Sequence, residues 1–227
     1  MEYGQFCPIA KAMDLLGERW TMLILRELHM GGTRFNELQR GVPLISPTML
    51  TKRLKELADA ELIIRKKIPG QRSGEYFLTQ AGKETLPLLQ SVGEWGMRWA
   101  RGDLRDSDLD VGLLMLYLQR SVKTEMLPGN ESVIKFTFTD LTKFSSWWLL
   151  VKGANVDTCL EDPGKEVDIY LTTDLRTMVN CWMGDESYRQ VIADKRMTLV
   201  GPPALTRNVQ SWIADSIFAG IPPARQI

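Results

Sequence analysis

One stretch constrains this chain more than any other: Ile45-Ser46-Pro47-Thr48, followed by Leu50, Leu54 and Leu57. Ser46 is a good N-cap, and Pro47 suits the first helical position, where the missing N–H costs nothing. The leucines stand at i, i+4 and i+7, so a helix from Pro47 to about Ala58 buries them on one face. At ~100° per residue, Thr48, Thr51, Lys52 and Lys55 gather on the opposite face. Small polar residues near a helix start, with lysines beside them, are what a helix needs to reach base edges and phosphates. Ser46, at the same end, joins that candidate set. Plain solvation produces such a face too, so the flanking sequence must decide. Arg53 lies nearer the buried edge, where it can pair with an acidic neighbour.

The flanks favour a nucleic-acid reader. Pro8 to Leu16 sets Ile9, Ala12, Met13 and Leu16 on one helical face, and Gly17 ends it. Trp20 to Leu28 is apolar on most sides and should be a central buried helix. Thr33 is placed to cap a short helix through Gln39, with Gly41 as its stop. After the Leu50 helix, Leu62 to Lys67 and Glu75 to Leu78 read as strands. Between them lies the turn-rich, basic loop Ile68 to Gly74. A hairpin carrying Lys66, Lys67 and Arg72 directly after a helix-turn-helix is a wing, suited to hold the phosphate backbone. Thr79 then caps a helix through about Arg101, with Leu88, Leu89, Val92, Trp95 and Trp99 along one stripe and Pro87 marking its first turn or a kink.

These residues resemble the HxlR family of winged-helix regulators. The match runs through Cys7-Pro8, Leu15-Leu16-Gly17, Arg19-Trp20-Thr21, Leu23 to Leu28, Arg34 to Leu38, Ile45-Ser46, Leu50, Arg53 to Leu57, Tyr76, Leu78-Thr79, Gly82 and Trp95-Gly96. It covers almost all of residues 7–101. The resemblance implies a homodimer joined through the N-terminal helix and the helix over residues 80–101, bound to a palindromic double-stranded DNA operator. Trp95 and Trp99 then belong to the dimer interface, or else to the intramolecular core. In the family a cysteine at the place of Cys7 can sense oxidants or electrophiles. A thiol just before a helix fits that chemistry, and a small apolar contact fits it equally.

Bulk properties are compatible. A hydrophobic fraction of 44% with 25% charged residues is that of a folded protein. The N-terminus has no signal-peptide pattern, and no stretch approaches the ~18 apolar residues of a membrane span. Three widely spaced cysteines form neither a disulfide framework nor a zinc site. A cytoplasmic protein that keeps off membranes and needs no metal or cofactor is expected. The net charge of zero hides an asymmetry: residues 1–102 carry 15 Lys and Arg against 11 Asp and Glu, and residues 103–227 carry 13 against 17. A mildly basic half joined to an acidic one suits a DNA-binding module fused to a domain that stays off DNA. The acidic run Arg101 to Asp110 marks the boundary, so the expected domains are 1–102 and 103–227.

The second half reads as α+β, a mainly antiparallel sheet backed by helices. Helices are expected over Asp110 to Met126, after Asp174, after Asp185, and from Pro202 to about Phe218. Strands are expected over Val133 to Thr139, Trp147 to Val151, Asn155 to Leu160, Val167 to Leu171 and Met197 to Val200. The order, with Val167 to Asp174, Gly184-Asp185 and Ala193 to Gly201, resembles the sterol carrier protein type-two fold. That resemblance implies a cavity for a small apolar or aromatic effector, with Trp147, Trp148, Met178, Trp182, Met183 and Trp212 as lining candidates. Aromatic and Met residues at these spacings are equally at home in a plain core.

Catalysis has no support. The only histidine, His29, ends an apolar helix far in sequence from any nucleophile, and no phosphate loop, metal cluster or carboxylate pair stands out. The expectation is a non-enzymatic, dimeric, effector-responsive DNA-binding regulator. The alternatives are a lipid- or acyl-binding carrier, and a regulator that senses oxidants through Cys7.

Overall fold

A computed structural model describes residues 3–70 and 73–224. The chain forms two compact units, one up to Trp95 and one from Gly96 onward.

The first unit contains α1 (Pro8–Leu16), α2 (Thr21–His29), α3 (Phe35–Gly41), α4 (Pro47–Asp59), the strands β1 (Ile63–Lys66) and β2 (Glu75–Leu78), α5 (Gln80–Lys83) and most of α6 (Leu86–Trp99). Its core joins Ile24 and Leu25 of α2, Leu38 of α3, Leu50, Leu54 and Leu57 of α4, and Ile63 of β1. The turn between α1 and α2 is sharp enough to hold Trp20 at φ 78°, a left-handed conformation that costs a non-glycine residue ~1–2 kcal/mol. The half-buried Trp20 packs against this core, and the Arg19 guanidinium lies 4.4 Å from its ring centroid.

Several local boundaries differ from the sequence reading, each for a tertiary reason. Arg34, not Thr33, holds the cap position of α3. Glu37 Oε2 accepts the backbone N–H of both Thr33 (2.9 Å) and Arg34 (3.0 Å), which frees the Thr33 hydroxyl to donate to Glu75 at 3.0 Å. Gly41 is the last residue of α3, but it is there for packing: a Cβ would lie 2.0 Å from the buried Glu27 side chain. The helix expected from Thr79 to Arg101 is two helices, α5 and α6. Pro87 cannot donate to the carbonyl of Lys83, and α5 ends at that residue.

The second unit contains α7 (Val111–Ser121), β3 (Glu131–Phe138), β4 (Ser146–Lys152), β5 (Asn155–Cys159), β6 (Ile169–Thr173), α8 (Leu175–Met183), α9 (Tyr188–Ala193), β7 (Met197–Val200) and α10 (Pro203–Thr206). The strands form one sheet in the order β5-β4-β3-β6-β7. All neighbours are antiparallel except β3 and β6. Ile134, Phe136 and Phe138 of the central β3 are buried with Ile169 and Leu171 of β6, against Met115 and Leu118 of α7 and Met178 of α8.

Two expected helices are cut short by one contact. Ala214 N donates to Ser121 O at 2.8 Å, Lys123 N donates to Trp212 O at 2.8 Å, and Val122 bridges Ile213. This extended pairing ends α7 at Ser121 and stops the expected 202–218 helix after Thr206, leaving only a short turn over Val209–Ser211. β6 lies two residues later than expected, because Asp168 acts as a clasp: its carboxylate accepts Val133 N at 2.8 Å, and its own N–H donates to Val133 O at 2.9 Å. Ser187 rather than Asp185 opens α9, since Gly184 and Asp185 are engaged in closing α8.

Tight packing in the first unit makes it sensitive to small changes. Gly82 is buried where a Cβ would lie 2.1 Å from the carbonyl oxygen of Leu62. Gly82→Ala should therefore lower unfolding stability by ~1–3 kcal/mol, the cost of overpacking, read as a fall in the urea midpoint. His29 Nε2 lies 3.1 Å from Thr85 Oγ1, itself a donor to Gly82 O at 2.7 Å. Burial lowers the His29 pKa from its ordinary 6.5, opposed by a backbone hydrogen bond at Gly82. The unfolded chain then binds the proton more readily, so this contribution to stability is present above about pH 6.5 and is lost as pH falls. His29→Gln should flatten the stability profile between about pH 7 and 5.5; an unchanged slope would contradict the assignment.

Candidate nucleic-acid interface

The helix α4 is built as its sequence demands. Ser46 is extended at ψ 150°, and its Oγ accepts Met49 N at 3.2 Å. Leu50, Leu54 and Leu57 are at most 3% exposed. Thr48, Thr51, Lys52 and Lys55 are all exposed on the other side. Two of them have internal partners: Thr51 Oγ1 donates to Pro47 O at 2.9 Å, and Lys52 Nζ stands 3.8 Å from Glu56. Both contacts are at the surface, where an ion pair of this kind contributes little. Arg53 behaves differently. Its side chain is buried to about nine-tenths, with Nη1 2.5 Å from Glu56 and Nη2 2.7 Å from Glu18.

The hairpin stands beside this helix. β1 and β2 pair antiparallel, Ile63 with Leu78 through Lys66 with Glu75. Lys66 and Lys67 are exposed, and Lys66 Nζ lies 5.5 Å from the Phe77 ring centroid. Arg72 lies outside the described residues. The wing is tied to α3: Tyr76 N donates to Thr33 O at 2.8 Å, and Arg34 Nε donates to Glu75 at 3.1 Å. Sequence reading missed Arg65, exposed on β1 with its guanidinium 5.7 Å from the Tyr76 ring centroid. The strand register, which sets Arg65 across from Tyr76, was the available signal.

Elsewhere the candidates scatter. Cys7 is half-buried at the cap position of α1, with no side-chain capping bond. Phe6 is 99% exposed and Ile9 73%; on α6, Val92, Trp95 and Trp99 are each about 60% exposed, so in the single chain these tryptophans are outside the core. In the second unit, Met178 and Trp212 are buried in the main core, with Trp147 and Trp182 packed against it and Met183 half-buried nearby in sequence. Trp182 stacks on Tyr117 (centroids 5.1 Å apart, 14° between planes) and donates Nε1–H to Ser121 Oγ at 3.0 Å. Trp148 does not join that group. It follows Trp147 on β4, and successive strand residues point to opposite faces of a sheet. The Trp147–Leu149–Val151 face meets the helices, whereas Trp148 lies under Lys135 Nζ at 4.9 Å. Among the described residues no cluster of three metal-ligating side chains is present, and no helix is long and apolar enough to cross a membrane.

Comparison with known proteins gives this geometry its context. A family model described as HxlR-like helix-turn-helix matches residues 15–103. The HTH-type transcriptional regulator YvaP of Bacillus subtilis is 37% identical over 101 residues, 44% of this chain and 94% of that protein. An HTH-type transcriptional regulator of Methanothermobacter thermautotrophicus is 38% identical over 91 residues, 40% of this chain and 70% of its own. Among solved structures, the reduced form of the regulator YodB of B. subtilis is 34% identical, covering 44% of this chain and 100% of that one, with a TM-score of 0.38. The similarity in sequence, and the helix-turn-helix with its wing, lead to one assignment: the chain belongs to the HxlR-like helix-turn-helix family of transcriptional regulators.

Proposed function

We propose that this regulator binds a palindromic operator as a homodimer, with residues 1–102 as the DNA-binding domain and residues 103–227 as an effector domain. The observation that carries the reading is the composition of α4. One side is a buried leucine stripe, and the other exposes Thr48, Thr51, Lys52 and Lys55 beside the basic wing. In this reading Thr48 and Thr51 meet base edges, after Thr51 gives up its bond to Pro47. Lys52 and Lys55 reach bases or phosphates at the same groove, Ser46 donates from the cap, and Lys66, Lys67 and Arg72 hold the backbone. The apolar surface formed by Phe6 and Ile9, and that formed by Val92, Trp95 and Trp99, supplies the dimer contact. Large exposed apolar patches of this kind mark interfaces. The two α4 helices then stand about 34–36 Å apart, matching successive major grooves.

The effector domain takes a small apolar or aromatic molecule in a sterol-carrier-like fold. A five-stranded sheet backed by helices and the half-buried Tyr117–Trp182 stack support this. Trp147, Trp182 and Met183 are the candidates nearest the surface, while Met178 and Trp212 form the floor. An effector switches DNA binding only by preferring one arrangement of the dimer over another. A second reading places the signal at Cys7, whose half-buried thiol at the head of α1 lies next to the exposed Phe6. Cys7→Ser separates the two, because it abolishes the response only if the thiol is the sensor.

Selection of duplexes from a random pool at two salt concentrations should enrich a two-fold-symmetric site. Lys52→Ala with Lys55→Ala should weaken binding to that site by ~1–3 kcal/mol for each lysine that reads a base. If the lysines touch only phosphates, the variant instead reduces the salt slope and leaves sequence preference intact. Unaltered binding would remove α4 as the reader. Trp95→Ala with Trp99→Ala should shift the chain toward monomer in sedimentation equilibrium; a dimer of unchanged stability would place the interface elsewhere.

A further inference from the structure

Beyond the short turn over Val209–Ser211, residues 212–224 form no helix, yet backbone contacts tie them down at three places in the second unit. The first is the pairing with the end of α7, through Trp212 and Ala214. The second is α8. Ser216 N donates to Trp182 O at 2.8 Å, and Ala219 lies so close to Gly184 that a Cβ on the glycine would stand 2.9 Å from the alanine Cβ. The third is the end of α6, whose residues from Gly96 onward belong to the same unit. Ala224 N donates to Arg98 O at 2.8 Å. The last four carbonyls of a helix have no partner within it, so this bond answers a group that α6 leaves open. Pro222 and Pro223 stiffen the approach to it.

The second tie lies at the Tyr117–Trp182 stack. The Trp182 indole N–H donates to Ser121 Oγ, and its carbonyl accepts Ser216 N. Ser121 O in turn accepts Ala214 N. One tryptophan thus holds the end of α7 with its side chain and the 212–224 segment with its backbone. The same neighbourhood contains unmet polar groups. Asp215 Oδ1, Tyr188 Oη and Arg101 Nε are buried with no hydrogen-bond partner among the described residues. Asp215 belongs to the segment itself, and Arg101, just past α6, pairs with Asp185 beside Gly184. Unmade interior hydrogen bonds oppose the docked position of the segment, and its backbone ties favour it. Opposing contributions of similar size are what a two-state element requires.

We propose that residues 212–224 act as a strap that couples the Tyr117–Trp182 stack to the end of α6. A change at Trp182 is passed through Ser216 and Ala214 to the segment, and through Ala224 to the last turn of α6, which carries Trp99. The cause and the target of that change rest on the function proposed above: an apolar or aromatic molecule at the stack is the regulator, and the dimer contact at Trp99 is what it regulates. An occupant that binds the docked strap better than the released one favours one arrangement of the helix end.

The coupling itself is tested without effector or DNA, in proton–nitrogen correlation spectra of the full chain. Trp182→Phe keeps an aromatic ring and removes the indole donor. It should speed exchange of the Ala224 amide by about fivefold or more, the low end of measured couplings. Coupling is reciprocal, so Ala224→Pro, which removes only the far hydrogen bond, should shift the Trp182 indole signal, itself identified by its loss in Trp182→Phe. Should Trp182→Phe fold poorly, Ser121→Ala removes the same side-chain bond from the other partner. An Ala224 amide that exchanges as before, or an indole signal unmoved by Ala224→Pro, overturns the strap. Titration with 2-naphthol then separates the two readings. Movement of the indole signal and the Ala224 amide together supports both, and movement of the indole signal alone overturns the strap. If neither moves while the two variants behave as expected, the strap holds and the aromatic-effector reading fails.

Discussion

Burial of Leu50, Leu54 and Leu57 on one side of α4 is the interaction on which the N-terminal unit depends. Each such side chain contributes ~1.5–3 kcal/mol when fully buried, so the three together set the rotation of α4 about its own axis. Once that rotation is set, Thr48, Thr51, Lys52 and Lys55 have no direction left but outward. The wing depends on the same packing, since Ile63 of β1 is 1% exposed in the same core. The ties from Glu75 to Thr33 and Arg34 then hold β2 against the start of α3. The exposed cations of the wing are thus carried by a scaffold whose own polar groups are largely paired.

Arg53 shows the cost of that arrangement. It sits at the edge of the leucine stripe, where helical geometry places it half inside. A lone buried guanidinium would be strongly destabilising. Glu56, one turn on, and Glu18, in the turn between α1 and α2, offset that cost. The pair with Glu18 also joins α4 to a turn already held at a left-handed Trp20. Position and orientation of α4 therefore rest on two different interactions, one apolar and one ionic.

The second unit is organised around β3, the middle strand of five. Ile134, Phe136 and Phe138 on one face are essentially inaccessible. The parallel pairing with β6 requires residues 160–168 to carry the chain from the β5 edge to the far side of β3. The Asp168 clasp on Val133 registers that crossing. The family match ends at residue 103, before this sheet begins, so the sheet and its helices are where the chain differs from relatives such as YvaP, whose length the match nearly exhausts.

Most of the winged helix was legible in the sequence because the information is local. A cap at Ser46, a proline at the first turn, a 3.6-residue period and a turn-rich basic hairpin each act within a few residues. The central strands were legible for the same reason, through strict alternation from Ile134 to Phe138. Only the tertiary structure decided the rest. The pairing of residues 121–123 with 212–214 ended two helices that local propensity would continue. The pleat of β4 set Trp147 and Trp148 on opposite faces, although as neighbours in sequence they look like one patch. The third decision was which acids meet Arg53, whose place near the buried edge the period already indicated: Glu18 as well as Glu56. Period and propensity describe what a segment prefers alone; where a helix stops, and which charges meet, depends on partners as much as 93 residues away along the chain, and no local pattern records them.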